Sequence, residues 1–261
     1  HNGRRRQRQM CIRDRSFSKN VVDNFTQMYA QGLTPNPCVE CNRSVKFDHF
    51  INQAKKLNCD KVATGHYAKI IKNNDKYELH KADYLDKDQS YVLHMLQSSD
   101  LENITFPLGE ISKPEVRQIA ARIGLRTAFK KDSQDICFVG KKDYRSFVEK
   151  RIDLTSPGEI FDTKGNKVGD HNGIHEFTVG QRKGLPGGYG TPRYVTKINV
   201  QNKNVTIGEK NDLLVSSFIV EELSCVNNLE YKNLTIQTRY NSEDLPLSLI
   251  HISEPTRQSL I

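Results

Sequence analysis

A change of hydrophobic period near Lys150 limits this chain more than any other feature of its sequence. Upstream of it, apolar residues recur at helical spacing. Val21, Val22, Phe25, Met28 and Tyr29 form one such set, closed by Gly32 at a C-terminal cap. Val45, Phe47, Phe50, Ile51 and Ala54 form another. Between helical stretches lie a short apolar strand, Lys61–Thr64, and a hairpin pattern from Tyr67 to Leu79 turning at Asn73, Asn74 and Asp75. Ser90–Leu96 reads as the start of a further helix. Lys113–Ile123 is a complete one: Ser112 can cap it, Pro114 fits its first turn, Glu115 suits its dipole and Gly124 ends it. Helices and strands in succession predict an α/β domain. Downstream the runs are short and β-like, separated by Gly, Asn and Asp: Gly158–Phe161, Lys167–Val168, His175–Val179 and Tyr194–Ile198. They predict a small β-rich domain, with Val205–Gly208, Phe218–Leu223 and Leu234–Arg239 continuing in strand style toward a β-barrel.

Composition narrows the class. The chain is 36% hydrophobic and 27% charged, and no apolar run approaches the roughly 18 to 20 residues that span a membrane, so no membrane role is expected. Six cysteines without a signal-peptide core predict a reducing, cytoplasmic setting, where closely spaced thiols serve as ligands or catalysts. The net charge of +8 suggests a polyanionic partner, but much of it sits at the ends. Arg5–Asp14 reads RRQRQMCIRD and Leu247–Arg257 reads LSLIHISEPTR, the translations of transposase-type sequencing adapters in their two senses. Residues 1–15 and 247–261 together carry seven arginines against Asp14 and Glu254. Residues 1–15 and 247–261 are therefore expected to be adapter-derived, leaving an insert with only a mild basic excess.

The chemistry concentrates in cysteines. Cys38 and Cys41 form CVEC within TPNPCVECN, a motif expected in a loop after two prolines. Two thiols at that spacing suit half a zinc site, but a second CxxC or an HxxxH is absent; a thioredoxin-like redox pair would need a strand-to-helix setting. Cys137, in KKDSQDICFVG, reads either as a reactive thiol beside a charged turn or as a buried strand cysteine. Cys59 and Cys225 belong to no polar constellation and are assigned to packing. Gln181, Arg182 and Lys183 suit either a phosphate patch or a solvated turn.

TPNPCVECNRSVKF, ATGHYAK, KDQSYVL, FPLGEISKPEVRQIA, DSQDICFVG and GIHEFTVGQRKGL occur here in the order and spacing found in the tRNA-specific 2-thiouridylases, and the chain resembles that family from Thr34 to Leu185 and more weakly to about Tyr240. The resemblance implies an α/β, PP-loop parallel-sheet domain (adenine nucleotide alpha hydrolase-like) over residues 16–145, a central β-rich domain over 146–212 and part of a C-terminal β-barrel over 213–246. It implies ATP, with Mg2+, activating the 2-oxygen of the wobble uridine of tRNA, and sulfur then displacing AMP. Cys137 matches the family's persulfide carrier, and Cys41 the nucleophile that cleaves the persulfide, leaving a Cys41 to Cys137 disulfide.

The sulfur would come from a donor such as a cysteine desulfurase or a relay protein. Gly65 matches a nucleotide contact. Asn36, Pro37 and Cys38 match the segment facing the target base. His66, the loop Lys87, Asp88 and Gln89, and the pair Arg239 and Tyr240 match tRNA contacts. Cys38 departs from the aspartate of many relatives, and this opens a second route in which Cys38, Cys41 and Cys137 hold an iron–sulfur cluster. The family's SGGVDSS pyrophosphate loop does not occur in the sequence, so the domain is expected to be incomplete and the chain alone inactive. Two other classes fit fewer of the motifs: a non-catalytic zinc or iron–sulfur RNA-binding module, and an ATP-pyrophosphatase acting on a small molecule.

Overall fold

The computed structural model describes residues 15–130, 136–139, 144–152, 156–188, 190–220, 233–240 and 242–248. Most of the two adapter-like ends, Cys11 and Cys225 lie outside them. Ten strands are described: β1 (Val62–Ala63), β2 (Lys69–Asn73), β3 (Lys76–His80), β4 (Ile104–Thr105), β5 (Gly158–Asp162), β6 (Lys167–His171), β7 (Tyr194–Asn199), β8 (Asn204–Gly208), β9 (Leu234–Ile236) and β10 (Leu245–Leu247). No described helix is long and apolar enough to cross a membrane. The chain forms two compact units, each assembled from two stretches of sequence: 1–41 with 132–218, and 42–131 with 219–261.

In the first unit the N-terminal helical pattern becomes a π-helical segment, Ser18–Asp23, continuing as the α-helix Asn24–Ala30. Val21, Val22, Phe25 and Tyr29 are buried, as their spacing predicts. An aromatic cluster closes over this helix. Phe25 meets Tyr29 and Phe138 edge-on at 5.0 and 5.3 Å, and Tyr29 stacks on Tyr144 at 4.9 Å. Val148, from the helix Tyr144–Glu149, completes the floor. Beside it stands a mixed four-stranded sheet in the order β6-β5-β8-β7. β5–β6 and β7–β8 are antiparallel neighbours, and β5 pairs with β8 in parallel. The alternate positions Val195, Val205 and Ile207 are buried together with Ile160, Ile174 and Phe177.

The β-rich reading of this region holds with one exception. His175–Val179 is not a strand: Ile174–Glu176 is a 3-10 turn, with His175 directed into the interior. The alternation of His175, Phe177 and Val179 mimicked a strand, but the polar partner of His175 lies on another helix.

The second unit contains the parallel pair β1–β4, with Val62 opposite Ile104, in keeping with an α/β domain. The hairpin β2–β3 turns at Asn74, whose φ of 54° is of the kind Asn tolerates. Its core gathers Phe47, Ile51, Leu93, Leu96, Leu101, Ile104 and Phe106. The helix Lys113–Arg122 has Ser112 as cap: Ser112 Oγ accepts from Glu115 N at 3.4 Å, and Glu115 Oε2 accepts from Ser112 N at 2.9 Å. Ser112 Oγ also donates to Glu115 Oε2 at 2.6 Å, and this bond first, with the one from Ser112 N second, holds the Glu115 carboxyl below its ordinary pKa. Gly124, with φ of 74°, supplies the left-handed residue after it.

The helix expected to begin at Ser90 is a single 3-10 turn, Ser90–Leu93. The C-terminal strand pattern is realised as the antiparallel pair β9–β10, with Leu247 paired to Leu234. β9 ends at Ile236, short of the predicted Arg239. Phe218–Val220 has no regular structure, and the rest of that predicted strand lies outside the described residues.

Candidate functional site

Only the start of TPNPCVECN, residues 34–36, is a loop; the cysteines lie in helical structure. Asn36 adopts an extended N-cap conformation, its Oδ1 accepting from Cys38 N at 3.2 Å, and Pro37 opens the helical turn Pro37–Glu40. A π-helical segment, Cys41–Phe47, and then the α-helix Asp48–Lys56 follow. The N-x-C cap and a proline at the first helical position were the signals available in the sequence; the flanking prolines pointed instead to a break. Asn36 and Cys38 are exposed, Pro37 is buried and Cys41 is half-buried.

Cys137 lies exposed in the short turn 136–139, which rules out a buried strand cysteine. Its neighbour Phe138 anchors that turn, with ring centroids 5.6 Å from Phe17, 5.3 Å from Phe25 and 5.3 Å from Phe147. The turn Pro37–Glu40 packs against Ser18–Asp23. The segments bearing Cys38, Cys41 and Cys137 thus rest on the same two turns of one helix, between Phe17 and Phe25, within one compact unit. Cys38, Cys41, Cys59 and Cys137 are not disulfide-bonded. Cys59, assigned to packing from sequence, is exposed instead.

The nucleotide and RNA candidates lie in the second unit. Gly65 follows β1. It has no positive φ, and a Cβ there would meet only Leu108 Cδ1, at 3.8 Å, so neither backbone nor packing within the chain demands glycine. His66 is buried, its Nδ1 2.9 Å from Thr64 Oγ1 and its ring against Phe47 and Phe106 at 5.7 and 6.0 Å. Burial first, and the nearby Lys46 second, lower its pKa to about 4, so the imidazole is neutral at neutral pH.

Tyr67 and Gln89 bind reciprocally: Tyr67 N donates to Gln89 Oε1 at 3.1 Å and Gln89 N to Tyr67 O at 2.7 Å. Asp88 holds its own loop, accepting from Ala82 N at 2.8 Å and from Ser90 Oγ at 2.6 Å. Lys87 is half-buried at the end of the 3-10 turn Leu85–Lys87.

Arg239 and Tyr240 lie in a turn closed by Ser242, whose Oγ donates to Arg239 O at 2.8 Å and accepts from Arg239 N at 3.3 Å. Tyr91 reaches this turn. Its hydroxyl donates to Thr238 O at 3.2 Å and its ring lies 6.4 Å from that of Tyr240. The tertiary structure therefore joins residues that sequence left scattered, and it adds Tyr91.

Gln181 is a turn-holder: Oε1 accepts from Thr178 N at 3.1 Å and Nε2 donates to Lys183 O at 3.0 Å, leaving Arg182 and Lys183 exposed. Among the described residues, the set of potential ligands gathered closely enough for one metal ion is Glu149, His175 and Glu176, with ligand atoms within 4.8 Å. His175 Nε2 and Glu149 Oε1 are 3.1 Å apart. Sequence reasoning missed this group because Glu149 is remote from His175 in the chain. Cys38, Cys41 and Cys137 do not gather within that distance, so these thiols do not form a ready single-ion zinc site.

Residues 8–141 match the tRNA methyl transferase HUP domain family and residues 145–209 the tRNA methyl transferase PRC-barrel domain family. The chain is 43% identical over 232 residues to the tRNA-specific 2-thiouridylase MnmA of Leptospira interrogans, covering 87% of this chain and 62% of that protein. It is 44% identical over 239 residues to that of Chloroflexus aurantiacus, covering 89% and 66%. With that of Natranaerobius thermophilus the identity is 41% over 235 residues, covering 88% and 64%. The chain spans just under two thirds of the length of these relatives. With a HUP-domain match over half of its length, a PRC-barrel match after it and these identities, the chain belongs to the tRNA-specific 2-thiouridylase family.

Proposed function

We propose that this protein takes part in the ATP-dependent 2-thiolation of the wobble uridine of tRNA, with Cys137 as sulfur carrier and Cys41 as the thiol that releases the sulfur. The observation that supports this most directly is the placement of both cysteine segments on the Phe17–Phe25 stretch of one helix, with Cys137 exposed and Cys41 half-buried. Relatives named tRNA-specific 2-thiouridylase support the choice of reaction.

The proposed chemistry balances in two stages. ATP, with Mg2+, adenylates the uridine 2-oxygen and releases pyrophosphate, turning a poor leaving group into AMP. The Cys41 thiolate then attacks Cys137 Sγ of the Cys137 persulfide; a Cys41 to Cys137 disulfide forms, and the terminal sulfur departs as hydrosulfide to C2 of the base, displacing AMP. A cellular dithiol reduces the disulfide by two electrons, and a donor protein, such as a cysteine desulfurase or a relay protein, reloads Cys137. The cytoplasm provides such reductants. An iron–sulfur route through Cys38, Cys41 and Cys137 gains no support from the relatives or from the arrangement of the three thiols.

In this reading Gly65 lets the nucleotide approach backbone closely, because no contact inside the chain explains a missing side chain there. Asn36, Pro37 and Cys38 form the helix start facing the base. Neutral His66 offers a hydrogen bond to RNA rather than a charge, Lys87 meets phosphate, Asp88 and Gln89 shape the loop that presents it, and Arg239 with Tyr240 binds and stacks on the RNA. The test is mass spectrometry of tRNA from cells carrying Cys137→Ser in the intact gene. Loss of 2-thiouridine is expected, and an unchanged level overturns the assignment.

A further inference from the structure

We infer that Tyr91 is a positioning residue for RNA binding, fixing the turn that presents Arg239 and Tyr240; this rests on the tRNA-binding reading above and adds a residue to it. Tyr91 lies in the 3-10 turn Ser90–Leu93, which is tied down on its other sides. Gln89, just before it, exchanges two backbone-directed bonds with Tyr67. Val92 O, just after it, accepts from Nδ2 of the fully buried Asn42 at 2.9 Å, and Leu93 is in the core.

The Tyr91 side chain therefore projects from a rigid base. At its far end the hydroxyl donates to Thr238 O at 3.2 Å, the carbonyl immediately before Arg239, while the ring lies 6.4 Å from Tyr240. The turn it meets follows the end of β9 at Ile236 and is closed locally by Ser242. A second tie, Lys81 Nζ to Asp244 Oδ2 at 2.7 Å, comes after the turn and leaves its orientation open. Through the Thr238 carbonyl the Tyr91 hydroxyl holds the backbone from which Arg239 projects.

The experiment is equilibrium binding of unmodified tRNA to the full chain across a salt series, without ATP, for the wild type, Tyr91→Phe, Arg239→Ala and the double variant. Tyr91→Phe keeps the ring and removes only the hydroxyl. Weakening of about three- to ten-fold is expected, the value of one hydrogen bond expressed as affinity. Each single variant is expected to reduce the slope of log K against log salt by about 0.7, one phosphate contact on single-stranded RNA, and the double variant to be no worse than Arg239→Ala. A fold defect unconnected with Arg239 would weaken binding additively and leave the slope intact, and that result overturns the inference. If Arg239→Ala weakens binding while Tyr91→Phe does not, the positioning role is wrong and the RNA-contact reading stands. If Arg239→Ala itself has no effect, that reading and this inference both fall.

Discussion

Phe138→Ala is the sharpest test of the cysteine arrangement, because Phe138 is the residue by which the Cys137 turn grips the helix. Its ring makes three aromatic contacts, with Phe17, Phe25 and Phe147, at centroid distances of 5.6, 5.3 and 5.3 Å. Each such pair contributes about 0.5–1.5 kcal/mol beyond area burial. The side chain is only half-buried, so the whole loss belongs near the lower end of the range for phenylalanine truncation, about 3 kcal/mol. That energy holds the turn together with the packing of Ile136 and Val139 on the same cluster and a backbone bond from Val139 N to Ile136 O at 3.1 Å. If most of it acts locally, the variant raises the open population of residues 136–139 by about a hundred-fold.

The assay is hydrogen exchange of the peptide carrying Cys137, together with peptide mapping of the rate at which mild oxidant forms the Cys41 to Cys137 disulfide. Faster exchange at the turn and slower disulfide formation are expected, with Phe138→Leu intermediate. Unchanged exchange and an unchanged rate would refute the reasoning, since the two cysteine segments would then owe nothing to this contact.

His66 gives a pH test. Its folded pKa of about 4 lies below the ordinary histidine value of 6.5, so between those values the unfolded chain binds the extra proton. The stability this provides is complete above pH 6.5 and is lost as pH falls toward 4, by up to about 3 kcal/mol. Thermal midpoints of the wild type should fall over that window, and His66→Gln should fall less; parallel curves would contradict it. Gly65→Ala should leave the thermal midpoint unchanged, because its new methyl meets only Leu108, while weakening adenine-nucleotide binding measured by titration calorimetry in the full-length enzyme. Gly109→Ala is the contrasting case: a Cβ there would lie 2.1 Å from Ala68 O, against backbone that cannot yield, and a loss of about 3 kcal/mol or more in denaturant unfolding is expected.

Local signals carried the parts of the fold that neighbours in sequence decide. Ser112, Pro114, Glu115 and Gly124 fix a helix within about a dozen residues, through bonds each residue makes to the next turn, and the structure has that helix. The Asn73–Asn74–Asp75 turn likewise closes β2 on β3. The same local reading misplaced TPNPCVECN, because proline is read as a break wherever it stands, whereas here Pro37 occupies the helix start that Asn36 caps.

What only the tertiary structure decided are the partnerships between distant residues. Val148 and Phe138 close the floor beneath Phe25; β5 pairs with the distant β8 as well as with its sequential neighbour β6; Tyr91 bonds to Thr238; and His175 finds Glu149. Such contacts cost chain entropy that grows slowly with separation and are repaid by burial and hydrogen bonding at their destination, so no pattern along the chain records them. The sequence by itself determined the family and the order of α/β and β-rich parts, and it singled out the cysteines proposed to carry the chemistry. The fold alone decided that the segments bearing Cys38 and Cys137 pack on one helical stretch: Phe138 leaves water there together with Phe17, Phe25 and Phe147, and the turn Pro37–Glu40 packs on Ser18–Asp23.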